Sequence, residues 1–457
     1  MTFFIKKSMF HFRYKYFMKY YIHRMTSIYD HKLNIGESQM KYLKTFLLVA
    51  SLLWTQDLFS QEKPVFQITK LVDGIYELVT DGGGYPVKVI VSVGDDGVLI
   101  VDSGDKEHGD ALAEAIKTFG KGMPKIIINT HSHIEHLGGN IAIGKGPVII
   151  GHKNLRDRYV NGLYIFNGIP ESALPNVTFT DSLNIFFNGE EIKLIAFPGA
   201  HDNSDIIVWF IKSKLVCTAA LCMNHHFPSV DGELGDILKY PGTVAEVIRI
   251  LPEDVLLVPG HSEDCTMKEY REFHDMLKQT SGIIRTELAK GKSLDELQEE
   301  DILAGWKTWE SYVDRNDWIQ YWVKAIQNPK TVSTKKKVYA PIYYAIQQKG
   351  ADSAIMLYNN LKKMHSDQYE FEERTAMWIG RRLAYTGKND DAVKFLNLCI
   401  KEYPNSEAGA ISQYSLGNVY WNSGNKSLAK DPYKKYLERF PKDQTILERM
   451  KEIEKEQ

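Results

Sequence analysis

The sequence predicts an α/β fold: two sheets packed face to face with helices outside, followed by a helical extension and an all-α repeat region. Three observations carry this. Between Gln67 and Gly260, short apolar or alternating blocks are cut by glycine-rich turns and mixed with helical spacing. After His261 the spacing becomes helical and amphipathic. Further on, glycine, alanine and proline positions recur 37 residues apart.

A length of 457 residues suggests two or three domains with ample core. Lys plus Arg total 56 against 58 Asp plus Glu, so no basic excess points to nucleic acid as a partner. Four irregularly spaced cysteines make neither a disulfide framework nor a Cys-x-x-Cys zinc site.

Residues 1–39 are basic and aromatic without periodicity, and read as an upstream extension before the true start at Met40. Residues 40–60 then follow a tripartite pattern: Lys41 and Lys44, the apolar run Phe46–Trp54, and a polar stretch to Ser60. This is a signal peptide, too short for a span, so the mature protein is expected to be periplasmic or secreted, with no membrane span. An uncleaved, membrane-anchored segment is the alternative. No Cys ends the apolar run, which argues against a lipid anchor.

Residues 62–270 make up the first domain. Ile75–Val79, Val87–Val93 and Val98–Val101 read as strands separated by the turns Asp81–Gly84 and Gly94–Gly97. His108–Thr118 has helical spacing, with Ala111, Leu112, Ala115 and Ile116 on one face. Residues 271–327 form the helical extension, in which Leu294–Ile326 is expected to bury Trp306, Trp309, Trp318 and Trp322 on one face. Polar Asn328–Lys337 reads as a linker. Residues 338–455 are tetratricopeptide-like: Gly380, Gly387, Ala392 and Pro404 recur as Gly417, Gly424, Ala429 and Pro441. Small residues there let paired helices approach, and the array is expected to be separable and able to dock a protein partner.

The chemistry centres on Asn129–Asn140, NTHSHIEHLGGN, which places His131, His133, Glu135 and His136 within six positions. The apolar run Lys125–Ile128 before it reads as a short buried strand. Residues two apart in extended chain point the same way, so His131 and His133 can close on one ion. Glu135 and His136, past the bend, face a neighbouring position. With 14 histidines in 457 residues, three at fixed offsets arise by coincidence in about 1 chain in 100, so metal binding is the reading taken.

HSHIEH resembles the His-x-His-x-Asp-His signature of the metallo-β-lactamase superfamily, with Glu135 where the family has Asp. Val98–Gly104, Pro198–His201 with Asp205, and Val258–His261 resemble its other motifs, in the same order. The resemblance implies an αββα sandwich. It also implies a first zinc held by His131, His133 and His201, and a second by Glu135, His136 and His261. The Asp that bridges both ions in the family is replaced by Ala220 in the stretch Cys217–Cys222. One tight zinc and a weak second site are therefore expected. Three imidazoles suffice for a catalytic zinc with an open position. Glu135 could serve as a ligand or as the general base.

Cys222, two residues beyond Ala220, is weighed as a replacement for the bridge against a role as a small buried hydrophobe. His225 and His226 are placed near the opening, as substrate contacts or as exposed side chains. Asp102 is expected to orient a ligand histidine, and His152 to lie in a loop. The resulting expectation is an exported zinc hydrolase acting on a small-molecule ester, lactone or amide, β-lactams among them. A degenerate metal-binding protein that works as a scaffold through its repeats is the alternative.

Overall fold

A computed structural model describes residues 66–80, 86–329 and 334–456. The upstream extension and signal peptide lie outside the described residues.

The first sheet has seven strands in sequence order: β1 (Phe66–Val72), β2 (Ile75–Thr80), β3 (Lys88–Gly94), β4 (Gly97–Val101), β5 (Pro124–Asn129), β6 (Val148–His152) and β7 (Val177–Phe179). Hairpins make β1–β4 antiparallel; crossovers through helices make β4–β7 parallel. The second sheet is ordered β12-β11-β10-β9-β8, comprising β8 (Ser182–Phe187), β9 (Glu190–Ala196), β10 (Ile206–Phe210), β11 (Leu215–Ala219) and β12 (Leu256–Pro259).

Side-chain alternation explains why two sheets need four layers. In β4, Leu99 and Val101 enter the core between the sheets, while Val98 and Ile100 pack outward on Leu112 and Ile116 of α1 (Gly109–Lys117). In β10 and β11, Val208, Phe210 and Leu215 face the inter-sheet core. Ile207 and Val216 face the other way, onto Val244 and Val247 of one helix and Phe273 and Leu277 of another. Strands buried on both faces read as continuous apolar runs, as β4 and β5 do.

The helical extension forms, but not as one long helix. Leu294–Glu299, a 3₁₀ turn at Ala304–Trp309 and Arg315–Gln327 are separate pieces, because Ser293 and Asp314 each cap a new start. Trp318 and Trp322 are buried, whereas Trp306 and Trp309 are only partly covered.

The repeats follow the expected spacing. Tyr339–Met364 is interrupted at Gly350 (φ 78°, ψ 172°), which divides it into two helical segments. A Cβ on Gly380 would lie 2.8 Å from Leu396, and one on Gly417 2.4 Å from Tyr433, so both glycines mark close helix approaches. Adding a methyl at either forces overpacking worth about 1–3 kcal/mol. The array does not pack by itself. Leu163, Tyr164 and Phe166, in a 3₁₀ turn over Leu163–Asn167, share one hydrophobic cluster with Ile342, Tyr358, Ile379 and Leu383. Periodicity reveals neighbouring repeats but not the partner beneath the first of them. The Asn328–Lys337 linker ends in a short strand, Lys336–Lys337, paired in parallel with Tyr369–Glu370.

Candidate metal centre

Strand β5 stops at Asn129, and the chain turns into a four-residue helix, α2 (Ile134–Leu137). This places His131 and His133 before the helix and Glu135 and His136 within it. His201 comes from the loop between β9 and β10, and His261 from the end of β12. The ligand atoms of His131, His133 and His201 lie within 4.8 Å of one another, as do those of Glu135, His136 and His261. All six residues proposed from sequence are therefore brought into two adjoining triads. Ring centroids of His131 and His136 are 4.2 Å apart, and those of His133 and His201 4.6 Å.

Every imidazole has one nitrogen tied outward. His136 Nδ1 donates to Asp102 Oδ2 at 2.7 Å, as expected of Asp102. Asp102 also accepts from the Thr130 N–H (2.8 Å) and hydroxyl (2.7 Å). With its proton so committed, the Thr130 hydroxyl accepts from His131 Nδ1 at 3.1 Å. His201 Nδ1 donates to Asp205 Oδ1 (3.2 Å), and His261 Nδ1 to the Pro86 carbonyl (2.9 Å). His133 is reversed: its Nε2 donates to Asp231 Oδ2 at 3.2 Å, leaving Nδ1 for the triad. Fixing the tautomer from behind is how proteins orient metal-binding histidines.

The inward nitrogens have the signature of a cation site. His131 Nε2 is buried without a hydrogen-bond partner. His136 Nε2 and His261 Nε2 face each other at 2.8 Å although each ring already has its proton on Nδ1. Two lone pairs brought together in a buried site call for a cation between them.

Electrostatics agree. Burial, reinforced by the neighbouring histidines, holds His131 well below the ordinary imidazole range. Burial and His136 push His261 down to about 3. Both therefore stay neutral at physiological pH, the form that binds metal. His133 differs: burial works to lower it, but hydrogen bonds to Asp231 and Glu135 raise it well above its usual value, so this ring must give up its Nδ1 proton to serve as a ligand. Burial disfavours the Glu135 carboxylate, yet its contact with His133 keeps it ionised far below the usual range. Glu135 Oε1 lies 3.5 Å from His133 Nδ1, so the longer side chain still reaches the cluster.

The bridging position is settled against a replacement by Cys222. Strand β11 ends at Ala219, which takes a left-handed φ of 47°. Beyond it the Tyr240 hydroxyl donates to the Ala220 carbonyl, and the Tyr270 hydroxyl to that of Leu221 at 3.1 Å. This turn carries Cys222 away from the strand face and into the helical core, its Sγ 3.6 Å from that of Cys265. The expectation of a shared face with Ala220 fails because the strand ends first. His225 is exposed against Trp309, and His226 lines a groove beside His261. His152 is not a loop histidine: buried, it caps a helix by accepting from Asn154 N–H at 3.2 Å and donates to the Thr180 carbonyl.

Sequence reasoning missed the support of His133. Arg158, nearly fully buried, donates to Asp202 Oδ2 (2.7 Å) and Asp231 Oδ2 (2.8 Å). These carboxylates and His133 are near enough for a third metal cluster, but the guanidinium already supplies their cation. Its other face lies 3.7 Å from the Tyr164 ring centroid, and Arg382 of the repeats stacks on the same ring at 4.5 Å. No local motif could reveal this, since Asp231 stands 98 residues from His133.

Residues 82–261 match the profile of the metallo-beta-lactamase superfamily, and residues 376–406 and 412–443 that of the tetratricopeptide repeat. The metallo-beta-lactamase type 2 of Elizabethkingia meningoseptica is 26% identical over 235 residues, covering 49% of this chain and 90% of that protein. Its counterpart from Bacteroides fragilis is 21% identical over 241 residues, covering 48% and 90%. A solved metallo-beta-lactamase from Pontibacter korlensis aligns with a TM-score of 0.41 at 19% identity, covering 47% of this chain and 99% of that one. The chain thus carries a domain of the metallo-β-lactamase superfamily followed by tetratricopeptide repeats.

Proposed function

We propose that the protein is an exported zinc-dependent hydrolase acting on a small carbonyl substrate, an ester, lactone or amide. The observation that carries this is the set of five imidazoles, each anchored outward through one nitrogen and turning the other inward. Such a donor set suits zinc, which favours nitrogen and carboxylate ligands around an open position. His131, His133 and His201 would hold the tight ion; Glu135, His136 and His261 would hold a weaker one.

Zinc supplies Lewis-acid polarisation and makes water acidic enough to react near neutral pH. The chain's own contribution is positioning and proton handling. Asp102, Asp205 and Asp231 fix the rings, and Glu135, an ionised carboxylate whose Oε1 lies 3.5 Å from His133 Nδ1, is the group available to carry a proton. In the hydrolysis, water oxygen bonds to the carbonyl carbon and the C–O or C–N bond breaks. The proton lost by water passes by way of Glu135 to the leaving group. Export rests on the Lys41–Ser60 pattern. Among the described residues no helix is long and apolar enough to cross a membrane.

A specific observation favours a second reading: Ala220 stands where a bridging carboxylate is expected, beside a repeat array suited to protein docking. In that reading the site binds metal without turnover, and the repeats act as a scaffold. Elemental analysis combined with a screen of esters, lactones and lactams separates the two. Close to one tight zinc per chain with zinc-dependent hydrolysis supports the enzyme. One tight zinc without turnover on any of them supports the scaffold.

A further inference from the structure

The groove beside the histidine cluster, about 750 Å³, is built largely from parts of the chain outside the superfamily match. Its lining includes Glu77 of β2, Tyr312 of the helical extension, Lys88, His226 and Glu263. Among the described lining residues Lys88 is the only Lys or Arg. It is buried, and its Nζ is held by Glu77 Oε1 at 2.7 Å and Asp264 Oδ1 at 2.6 Å. Glu263 is exposed at the rim. Burial and the neighbouring His225 hold the His226 imidazole below its ordinary pKa, so it adds no cation. Lys88 is thus outnumbered by Glu77, Asp264 and Glu263.

We infer that this groove selects neutral or cationic substrates and disfavours those bearing a carboxylate, β-lactam antibiotics included. This rests on the hydrolase reading of the metal centre. A substrate carboxylate entering the groove is desolvated and, among the described lining residues, meets no Lys or Arg that is not already paired, while it faces the carboxylates of Glu77 and Glu263. To recruit Lys88 it must displace buried Glu77 or half-buried Asp264, leaving that carboxylate unpaired. A neutral tail avoids the repulsion, and a cationic one can pair with Glu263.

The test compares zinc-loaded full-length protein on 4-nitrophenyl butyrate and on mono-4-nitrophenyl succinate, a pair differing chiefly by a terminal carboxylate. After subtraction of the uncatalysed rates, kcat/KM is expected to be at least about tenfold higher for the butyrate, a gap that narrows as salt screens the groove. E263K is expected to raise the rate on the succinate ester and so reduce the gap. Equal or faster hydrolysis of the succinate, or a gap indifferent to both salt and E263K, overturns the inference while leaving the hydrolase reading intact. Absence of zinc-dependent turnover on both esters, and on lactones and lactams, overturns the hydrolase reading and the inference with it.

Discussion

The two triads of the metal centre are built from the same kind of part yet supported differently. His131, His133 and His201 are three imidazoles backed by Thr130, Asp231 and Asp205. Glu135, His136 and His261 offer two imidazoles backed by Asp102 and a main-chain carbonyl, plus one carboxylate from a four-residue helix. On the proposed reading the first triad would suffice for a catalytic zinc, whereas the second would lack the bridging carboxylate whose place Ala220 takes.

The sharpest way to break this comparison is His133→Ala, which removes a ligand from the first triad. Zinc stoichiometry by elemental analysis is expected to fall from near one to near zero, and hydrolysis to disappear with it. Retention of a tight ion would place the stronger site in the second triad. Next in size is Glu135→Gln, which keeps shape but cannot accept a proton. Hydrolysis is expected to fall by about 10²-fold or more with the first ion retained.

Two substitutions of similar size act in opposite directions. Asp231→Asn keeps the carbonyl oxygen that caps Glu233 and Leu234 but takes the acceptor from His133 and Arg158. A loss of about 10–100-fold in first-site zinc affinity is expected by competition with a chelating dye. Ala220→Asp supplies a carboxylate to the second triad and is expected to raise second-site affinity by a comparable factor, read as a second equivalent in zinc titration. If the titration stays at one equivalent, a shortage of charge is not what weakens that triad.

The smallest expected effect tests whether the repeats support only the first triad. Arg382→Ala removes a stacking partner of Tyr164, on which Arg158 also rests. Such a contact is worth about 0.5–2 kcal/mol. A loss of a few-fold in first-site affinity, with the second site unmoved, is the expected result of the same dye assay. An equal change at both sites would point to general destabilisation instead.

Sequence alone determined the layered α/β architecture, the repeat period and four of the six ligand candidates through local spacing, while His201 and His261 came from the ordered motifs of the family resemblance. Leu99 and Ile100 point to opposite sides through the two-residue period of a strand. Gly380 and Gly417 mark helix approaches through the repeat. His131, His133, Glu135 and His136 sit within one turn of chain. Tertiary structure decided what depends on contacts between distant segments. It turned Cys222 toward Cys265, because the strand ends at Ala219 and two tyrosine hydroxyls hold the following turn. It set Asp231 and Arg158 behind His133, and it joined the repeats to the metallo-β-lactamase-like domain through the Tyr164 cluster. Local patterning fixes which way a side chain leaves its own element. What it meets there depends on how the elements pack, and no spacing along the chain encodes that.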